Sequence, residues 1–325
     1  MVQSKLATIA LVAAIAVGGA TSALAQQTLK WAHVYEEGSG YHQVALWAAE
    51  EVAERTDGRI DIQVFPASSL GKEVEINEGL GIGAVDIIYT GPSFVERYYG
   101  PIAISDYPFI MSGYDHWKTY RDSDLFAELS EGYKGATGHT VNGLVYYGQR
   151  HVTSNFPILQ PSDMEGLKIR VPNSPVMLMF PNAVGANPTP MAFSEVYLAL
   201  QQKVVDAQEN PLPTIQFKKF YEVQSNINLT GHILNSLLII TSQSAMQRLG
   251  DDAAVVDEVM KEAAAMVSQE IFDSEQSLVA WFREQGIQVN EIDKGPFQEA
   301  VKPMLTDMTQ VPYDMDHFER LQALQ

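Results

Sequence analysis

The chain contains no cysteine. Disulfides, thiolate metal sites and cysteine nucleophiles are therefore all excluded. Basic residues are also scarce, because 21 lysines and arginines stand against 40 aspartates and glutamates, for a formal net charge of -19. Nucleic acids and anionic membrane surfaces are bound through basic patches, so neither is expected as a partner. In so acidic a protein, an anionic ligand would need a local positive pocket.

Long apolar runs are absent after the N-terminus. The first 25 residues read as an export signal, with Lys5, the apolar run Leu6–Ala20 and the small-x-small cleavage site Ala23–Ala25. The run holds about 15 residues, too few for a spanning helix of roughly 20. We therefore expect a signal peptide at 1–25, export to the periplasm and a mature chain that begins near Gln26.

The mature part of the chain, about 300 residues, exceeds what one hydrophobic core usually serves, so two domains are expected. Strand patterns such as Ile60–Val64 alternate with helical patterns such as the one that Ser39 can cap and that runs to about Arg55. This alternation indicates an α/β fold with largely parallel pairing. Asp252–Gln285 predicts a helix of about 50 Å, long enough to brace two domains.

Two arginines fall at predicted strand ends. Lys168–Pro172 alternates as a strand that the proline ends, which places Arg170 near its terminus, and a strand at 141–148 places Arg150 at its carboxyl end. Ligands of open α/β sheets collect at that edge. A guanidinium binds one carboxylate through two parallel hydrogen bonds, which a lysine cannot do. The alternative for either arginine is an ion pair within the protein.

A third polar residue, Asn210, follows a short predicted strand at 204–208. Pro211 keeps Asn210 extended and opposes a helix start at that point. Upstream, Asn187–Pro190 contains two prolines and predicts a break in the chain before a helix.

Four stretches of the chain resemble one known family. They are Gly166–Pro175, Gly185–Gln201, Val205–Leu212 and Gly231–Asn235. Their order and spacing resemble the periplasmic solute-binding subunit of TRAP transporters, the DctP type, over nearly the whole mature chain. The resemblance implies a two-lobed, type II-like periplasmic binding protein with mixed sheets in each lobe and the long helix bridging both. Such a protein closes around a small organic acid and hands it unchanged to a membrane permease.

On this resemblance we expect lobe I to comprise 26–148 and about 236–275, and lobe II to comprise 149–235 and about 276–325. We expect a monomer that needs neither a metal nor a cofactor.

The resemblance also assigns ligand contacts. Arg170 matches the arginine that clamps the ligand carboxylate, and Arg150 resembles a second ligand-facing arginine. Phe193 resembles a pocket-wall aromatic residue and Asn210 a polar contact. Glu73 falls where sialate-binding members place an acidic side chain for ligand hydroxyls, although it can also simply decorate the first turn of a helix.

One position departs from the sialate-binding members. They carry a glutamate after the third strand, where this chain has Gly91, with Tyr89 close by. This difference disfavours the larger sialate ligand. The first loop, His33–Gly38, also differs, and its His33 and Glu36 are candidates for contacts with sugar hydroxyls. For Tyr89 and Phe193 the alternative is a place in the core.

These residues predict binding of a hydroxylated organic acid, with a hexuronate such as D-glucuronate or D-galacturonate ahead of C4-dicarboxylates, 2-oxo acids and sialate. A secreted enzyme acting on acidic carbohydrates is the alternative of another class, because paired carboxylates can perform acid/base chemistry. Such pairs are unavoidable among 40 acidic residues, so they carry little information. The sequence has no nucleophile elbow, HExxH motif or phosphate loop.

Overall fold

The computed structural model describes residues 26–307, 309 and 311–325, and the expected signal peptide at 1–25 lies outside them. The described strands are β1 (Gln27–Ala32), β2 (Ile60–Phe65), β3 (Ile87–Thr90), β4 (Thr140–Ser154), β5 (Lys168–Val171), β6 (Asn187–Pro190), β7 (Ala207–Pro211), β8 (Asn226–Thr241) and β9 (Gln288–Asn290). The described helices are α1 (Gly40–Arg55), α2 (Glu73–Ile82), α3 (Pro92–Val95), α4 (Tyr114–Arg121), α5 (Asp124–Thr137), α6 (Met179–Ala183), α7 (Val196–Gln201), α8 (Leu212–Phe217), α9 (Gln243–Leu249), α10 (Ala253–Glu284), α11 (Gly295–Leu305) and α12 (Met315–Gln322). None of these helices is both long enough and apolar enough to cross a membrane.

The strands form one mixed sheet in the order β2-β1-β3-β8-β4-β7-β5-β6, with β9 beside β8. The sheet has two halves with largely parallel pairing. In the first half β1 pairs with β2 and β3, and in the second half β5 pairs with β6 and β7. The long strands β4 and β8 pair antiparallel between these halves. The expected mixed pairing is confirmed. The sheets of the two halves are continuous, because β4 and β8 run through both.

The helix α10 has 32 residues, in agreement with its prediction. At its N-terminal half it packs on α1, where Arg55 of α1 pairs with Glu262 at 2.7 Å. At its C-terminal half, Leu278 and Phe282 lie in a second hydrophobic core with residues of α7 and α8. One rigid helix therefore contacts both halves of the sheet.

Helix α1 begins where the sequence predicts. The Ser39 side chain accepts a hydrogen bond from the His42 backbone N–H, which supplies a partner for one of the free donors of the first turn. Tyr41, Val44 and Ala48 are among the buried residues of this helix. The cap and the apolar stripe thus fix the orientation of α1 on the sheet.

Three sequence predictions are wrong in detail. The strand predicted at 141–148 extends to Ser154, so Arg150 lies inside it. Asn187–Pro190 forms the strand β6, because a sheet edge tolerates prolines that a central strand would not. Helix α8 begins directly after Pro211, with Pro213 in its first turn, where a proline loses no helical hydrogen bond.

The last helix departs from the expected lobe boundaries. Arg320 of α12 pairs with Glu128 of α5 at 2.7 Å, and the Leu321 carbonyl lies 2.9 Å from His116 Nε2 of α4. Helix α12 therefore packs on the first half of the molecule, although 276–325 was expected in the second.

Candidate functional site

A cavity of about 400 Å³ lies between the two halves of the molecule. Its walls come from the first loop and α2 on one side and from β5, β7 and the segment before α7 on the other. β4 and β8 close its base through Arg150 and Asn235. Five of the eight predicted site residues line it, namely Arg170, Arg150, Asn210, Glu73 and Phe193.

Arg170 is 2% exposed and is only partly satisfied. Its Nε and Nη2 both donate to the Met191 carbonyl, at 3.1 and 2.7 Å, and its Nη1 is buried without a partner. Every other arginine of the described chain forms an ion pair, whereas Arg170 forms none. Burial lowers the pKa of Arg170 to about 10, so it remains a cation at neutral pH. The cavity therefore contains one positive group that lacks a counter-charge.

Arg150 is equally buried but is almost fully engaged. Its Nε and Nη2 donate to the two carboxylate oxygens of Glu209, Nη2 also donates to the Glu209 carbonyl at 2.7 Å, and Nη1 donates to Asn235 Oδ1 at 2.8 Å. Glu209 also lies 3.2 Å from His232 Nε2. Arg150 reaches the cavity wall as part of a buried network. This network contains the ion pair within the protein that was the alternative for Arg150.

Glu209 is ionised despite its burial. Burial alone would favour the neutral acid, but the adjacent Arg150 and His232 outweigh it and lower the pKa of Glu209 to about 2. The charge of Arg150 is thus neutralised inside the protein. The uncompensated positive charge of the cavity is therefore that of Arg170.

Glu73 lies at the start of α2 on the opposite wall. Its Oε1 accepts from the Gly91 backbone N–H at 3.0 Å and from the Thr90 hydroxyl at 3.1 Å, and its Oε2 has no partner among the described residues. Burial raises the pKa of Glu73 to about 7, against the effect of these hydrogen bonds. The free oxygen is available to a ligand hydroxyl.

Asn210 and Phe193 complete the predicted lining. Asn210 is 2% exposed, donates from Nδ2 to Gln208 Oε1 at 2.6 Å and accepts from the Tyr147 hydroxyl at 3.4 Å. The half-buried Phe193 ring contacts Tyr35, with 6.2 Å between ring centroids, and the ammonium of Lys218 lies 5.0 Å from its centroid. An aromatic face and an amide thus flank the arginine.

Three predicted residues lie elsewhere. Tyr89 is fully buried against Trp31, with 5.0 Å between ring centroids, and does not line the cavity. His33 is 1% exposed, and its Nε2 lies 3.2 Å from His42 Nδ1. The two rings lie beside each other, with 6.0 Å between centroids, and the core alternative describes the position of Tyr89.

Glu36 forms a salt bridge instead of lining the cavity. Its carboxylate lies 2.5 Å from the ammonium of Lys218 in the opposite half. A second ion pair with the charges reversed joins Lys72 and Glu195 at 2.6 Å on the cavity rim. Both half-exposed pairs cross from one half of the molecule to the other.

The sequence reasoning missed other lining residues, among them Ser93, Tyr147 and Asn173. Ser93 Oγ is buried without a partner, like Arg170 Nη1. Buried polar groups need a partner, and a polar ligand in this cavity would supply one to both Arg170 Nη1 and Ser93 Oγ. No signal in the sequence marks Ser93, whereas Tyr147 precedes Arg150 by three positions on one strand. Within the described residues, no cluster of three or more histidine or acidic side chains is arranged to hold a metal ion.

Comparison with known proteins places this cavity in a functional context. Residues 31–310 match the family described as DctP, bacterial extracellular solute-binding protein, family 7. The sialic acid-binding periplasmic protein SiaP of Vibrio cholerae is 34% identical over 294 residues, which cover 90% of this chain and 92% of that protein.

Solved structures agree with the family match. A TRAP solute-binding protein from Roseobacter denitrificans, solved with L-galactonate, superposes with a TM-score of 0.86 at 30% identity, covering 93% of this chain and 99% of the other. One from Xanthobacter autotrophicus, solved with β-D-galacturonate, gives 0.85 at 26% identity over 91% and 100% of the two chains. Others contain succinate. The chain belongs to the DctP family, the periplasmic solute-binding proteins of TRAP transporters.

Proposed function

We propose that this protein binds a hydroxylated monocarboxylate, with a hexuronate such as D-glucuronate or D-galacturonate as the leading candidate, and delivers it to a TRAP permease. The observation that carries the proposal is the free Nη1 of Arg170, a buried cationic donor without a counter-charge. A ligand carboxylate supplies both the missing acceptor and the missing charge. Each charged hydrogen bond contributes roughly 1.5–3 kcal/mol, a large part of the approximately 8 kcal/mol of a micromolar complex.

The other charges of the cavity favour a single carboxylate. Arg150 is neutralised by Glu209, and Lys72 on the rim is paired with Glu195. The far wall presents Glu73, whose pKa burial raises to about 7, so the fraction that is ionised at neutral pH would repel a second ligand carboxylate. A C4-dicarboxylate therefore has one group without a free cation, which argues against succinate as the cargo.

The other polar groups of the cavity suit ligand hydroxyl groups. Glu73 Oε2 is a free acceptor, Ser93 Oγ is a buried group without a partner, and Asn210 has an amide hydrogen to donate. Phe193 offers an apolar ring to the face of a sugar. The volume of about 400 Å³ is within the range of small-molecule sites. The galacturonate and L-galactonate ligands of solved relatives have the same chemistry.

A ligand panel tests the proposal. The mature protein is screened by thermal shift against D-glucuronate, D-galacturonate, L-galactonate, sialate, succinate and a 2-oxo acid, since a ligand that binds only the native state raises the melting temperature. We expect a uronate to give the largest shift, and calorimetry then gives its affinity. If neither uronate shifts the melting temperature, the hexuronate assignment is wrong. A larger shift with succinate would overturn the single-carboxylate argument.

We propose further that the protein is exported through residues 1–25, acts as a monomer and leaves its ligand unchanged. The family relatives are binding proteins, which supports this proposal. NMR spectra of a uronate kept with the protein for days should show the starting compound alone. Accumulation of a product would favour the alternative of a secreted enzyme.

A further inference from the structure

A second cavity, of about 300 Å³, lies on the reverse face of the sheet. Its lining includes Gln149 and His151, which flank Arg150 in β4. Neighbouring residues of a strand point to opposite faces, so this cavity lies behind the arginine that closes the base of the first one. The two cavities share β4 but no lining residue.

Two donors in this second cavity have no partner. His151 is only 5% exposed, and its Nδ1 accepts the Gly231 backbone N–H at 3.0 Å. In the neutral ring the proton is therefore on Nε2, for which the described residues offer no acceptor. The half-buried Lys294 likewise forms no ion pair with any described residue. The cavity thus contains a cation and an N–H donor of a largely buried ring, both without partners among the described residues.

The neighbouring acids have other partners. Glu275 accepts from the Tyr146 hydroxyl and from the Gln149 backbone N–H, both at 2.8 Å. Glu291 pairs with Arg283 at 2.9 Å. Neither carboxylate forms an ion pair with Lys294, and burial raises the pKa of Glu275 to about 7, so its charge opposes a bound anion only in part at neutral pH.

The cavity also lies where the two halves of the molecule join. Gly231 in β8 has a φ of +52°, and a Cβ at that position would lie 2.5 Å from Lys294 Nζ. Gly148 in β4 has a φ of +117°, and a Cβ there would lie 2.6 Å from Glu275 Oε1. These glycines permit the close approach of Lys294 and Glu275 to the backbone of the connecting strands. The site is therefore built from the segments that join the halves.

We propose that this second cavity is a binding site for a small oxyanion, with the ammonium of Lys294 and the Nε2–H of His151 as its donors. The class comprises anions such as phosphate and sulfate, which present several acceptor oxygens. The site is distinct from the ligand cavity and does not depend on the identity of the cargo.

The test uses the mature protein and inorganic phosphate. Phosphate is titrated at constant ionic strength against chloride, and the backbone amide of Gly231, which donates to His151, is followed by ¹H–¹⁵N NMR. We expect a saturable shift of this amide in the wild type. Lys294→Met should weaken binding at least tenfold, and His151→Phe should weaken it as well. The control Lys203→Met removes an exposed, unpaired lysine and should leave the titration unchanged.

Each outcome decides the proposal. A linear shift without saturation would overturn it, as would an affinity that Lys294→Met leaves unaltered in a protein of unchanged thermal stability. The same titration on Arg170→Lys separates the two cavities. Saturation at Gly231 should persist in that variant, and its loss would mean that phosphate acts through the first cavity.

Discussion

Arg150 and Arg170 line the same cavity, are each 2% exposed and differ in one respect. Arg150 has a carboxylate, an amide and a carbonyl as partners, whereas Arg170 has a single carbonyl. Burial therefore does not distinguish a structural arginine from a ligand-binding one. The distinction lies in the donors and the charge that the protein leaves unsatisfied.

The two arginines should also differ in their effects on stability and on binding. Removing one partner of a buried ion pair is strongly destabilising, since an uncompensated charge remains. In the unliganded protein Arg170 already has that uncompensated charge, and its lowered pKa reflects the cost. Changes around Arg150 should therefore affect stability first, and changes at Arg170 should affect binding first. Four predictions test this division.

The largest effect is expected for Glu209→Gln. The substitution leaves Arg150 without its counter-charge, so the free energy of unfolding should fall by about 3–5 kcal/mol. Urea denaturation followed by circular dichroism measures it. Glu195→Gln, in the exposed pair with Lys72, serves as the control and should cost at most about 1 kcal/mol. Equal losses in the two variants would contradict a special role for the buried pair.

Arg170→Lys should affect binding instead. Lysine retains the charge but not the planar fork, so we expect the affinity for the ligand to fall about 100-fold. The melting temperature should remain nearly unchanged, because no internal ion pair is lost. Calorimetry measures both quantities, with Lys168→Met, at an exposed position of the same strand, as the control. An unaltered affinity would refute the carboxylate clamp.

The ion pair of Glu209 with Arg150 should also make the free energy of unfolding depend on pH. The pKa of Glu209 is about 2 in the folded protein, below its ordinary value of 4.5. Its stabilising contribution is therefore complete above about pH 5 and is lost as the pH falls through 4.5 towards 2. The difference in unfolding free energy between the wild type and Glu209→Gln should narrow over this interval. A difference independent of pH down to 2 would show that the pair does not titrate as described.

The smallest effect is expected for Phe193→Ala. The ring forms one wall of the ligand cavity but no polar contact, so its loss should weaken uronate binding by about 1 kcal/mol, roughly fivefold. Calorimetry on the variant measures the change. Phe156→Ala, at an exposed position outside the cavity lining, is the control. A loss as large as that of Arg170→Lys would shift the dominant role from the charge to the ring.

Local signals predicted much of the fold. Ser39 capped α1 as expected, and the apolar stripe defined α10 to within one residue at each end. The strand β6 was missed because Asn187–Pro190 reads as a break, and only its place at the edge of the sheet makes the prolines acceptable.

Motifs of the sequence marked Arg170 and Asn210, and both line the cavity. Tyr147 was missed because the register of β4 shifts at Gly148, so that both Tyr147 and Arg150 reach the cavity although simple alternation would place them on opposite faces. Glu36 was assigned to the ligand because its partner, Lys218, is distant in sequence. Pairings of this kind depend on tertiary structure, which a single sequence does not contain.

A crystal structure of the protein with its bound acid tests the central claim most directly. We predict that a carboxylate oxygen of the ligand lies within about 3 Å of Arg170 Nη1, with Glu209 still paired to Arg150. A carboxylate bound instead at Arg150, with Glu209 displaced, would contradict the account.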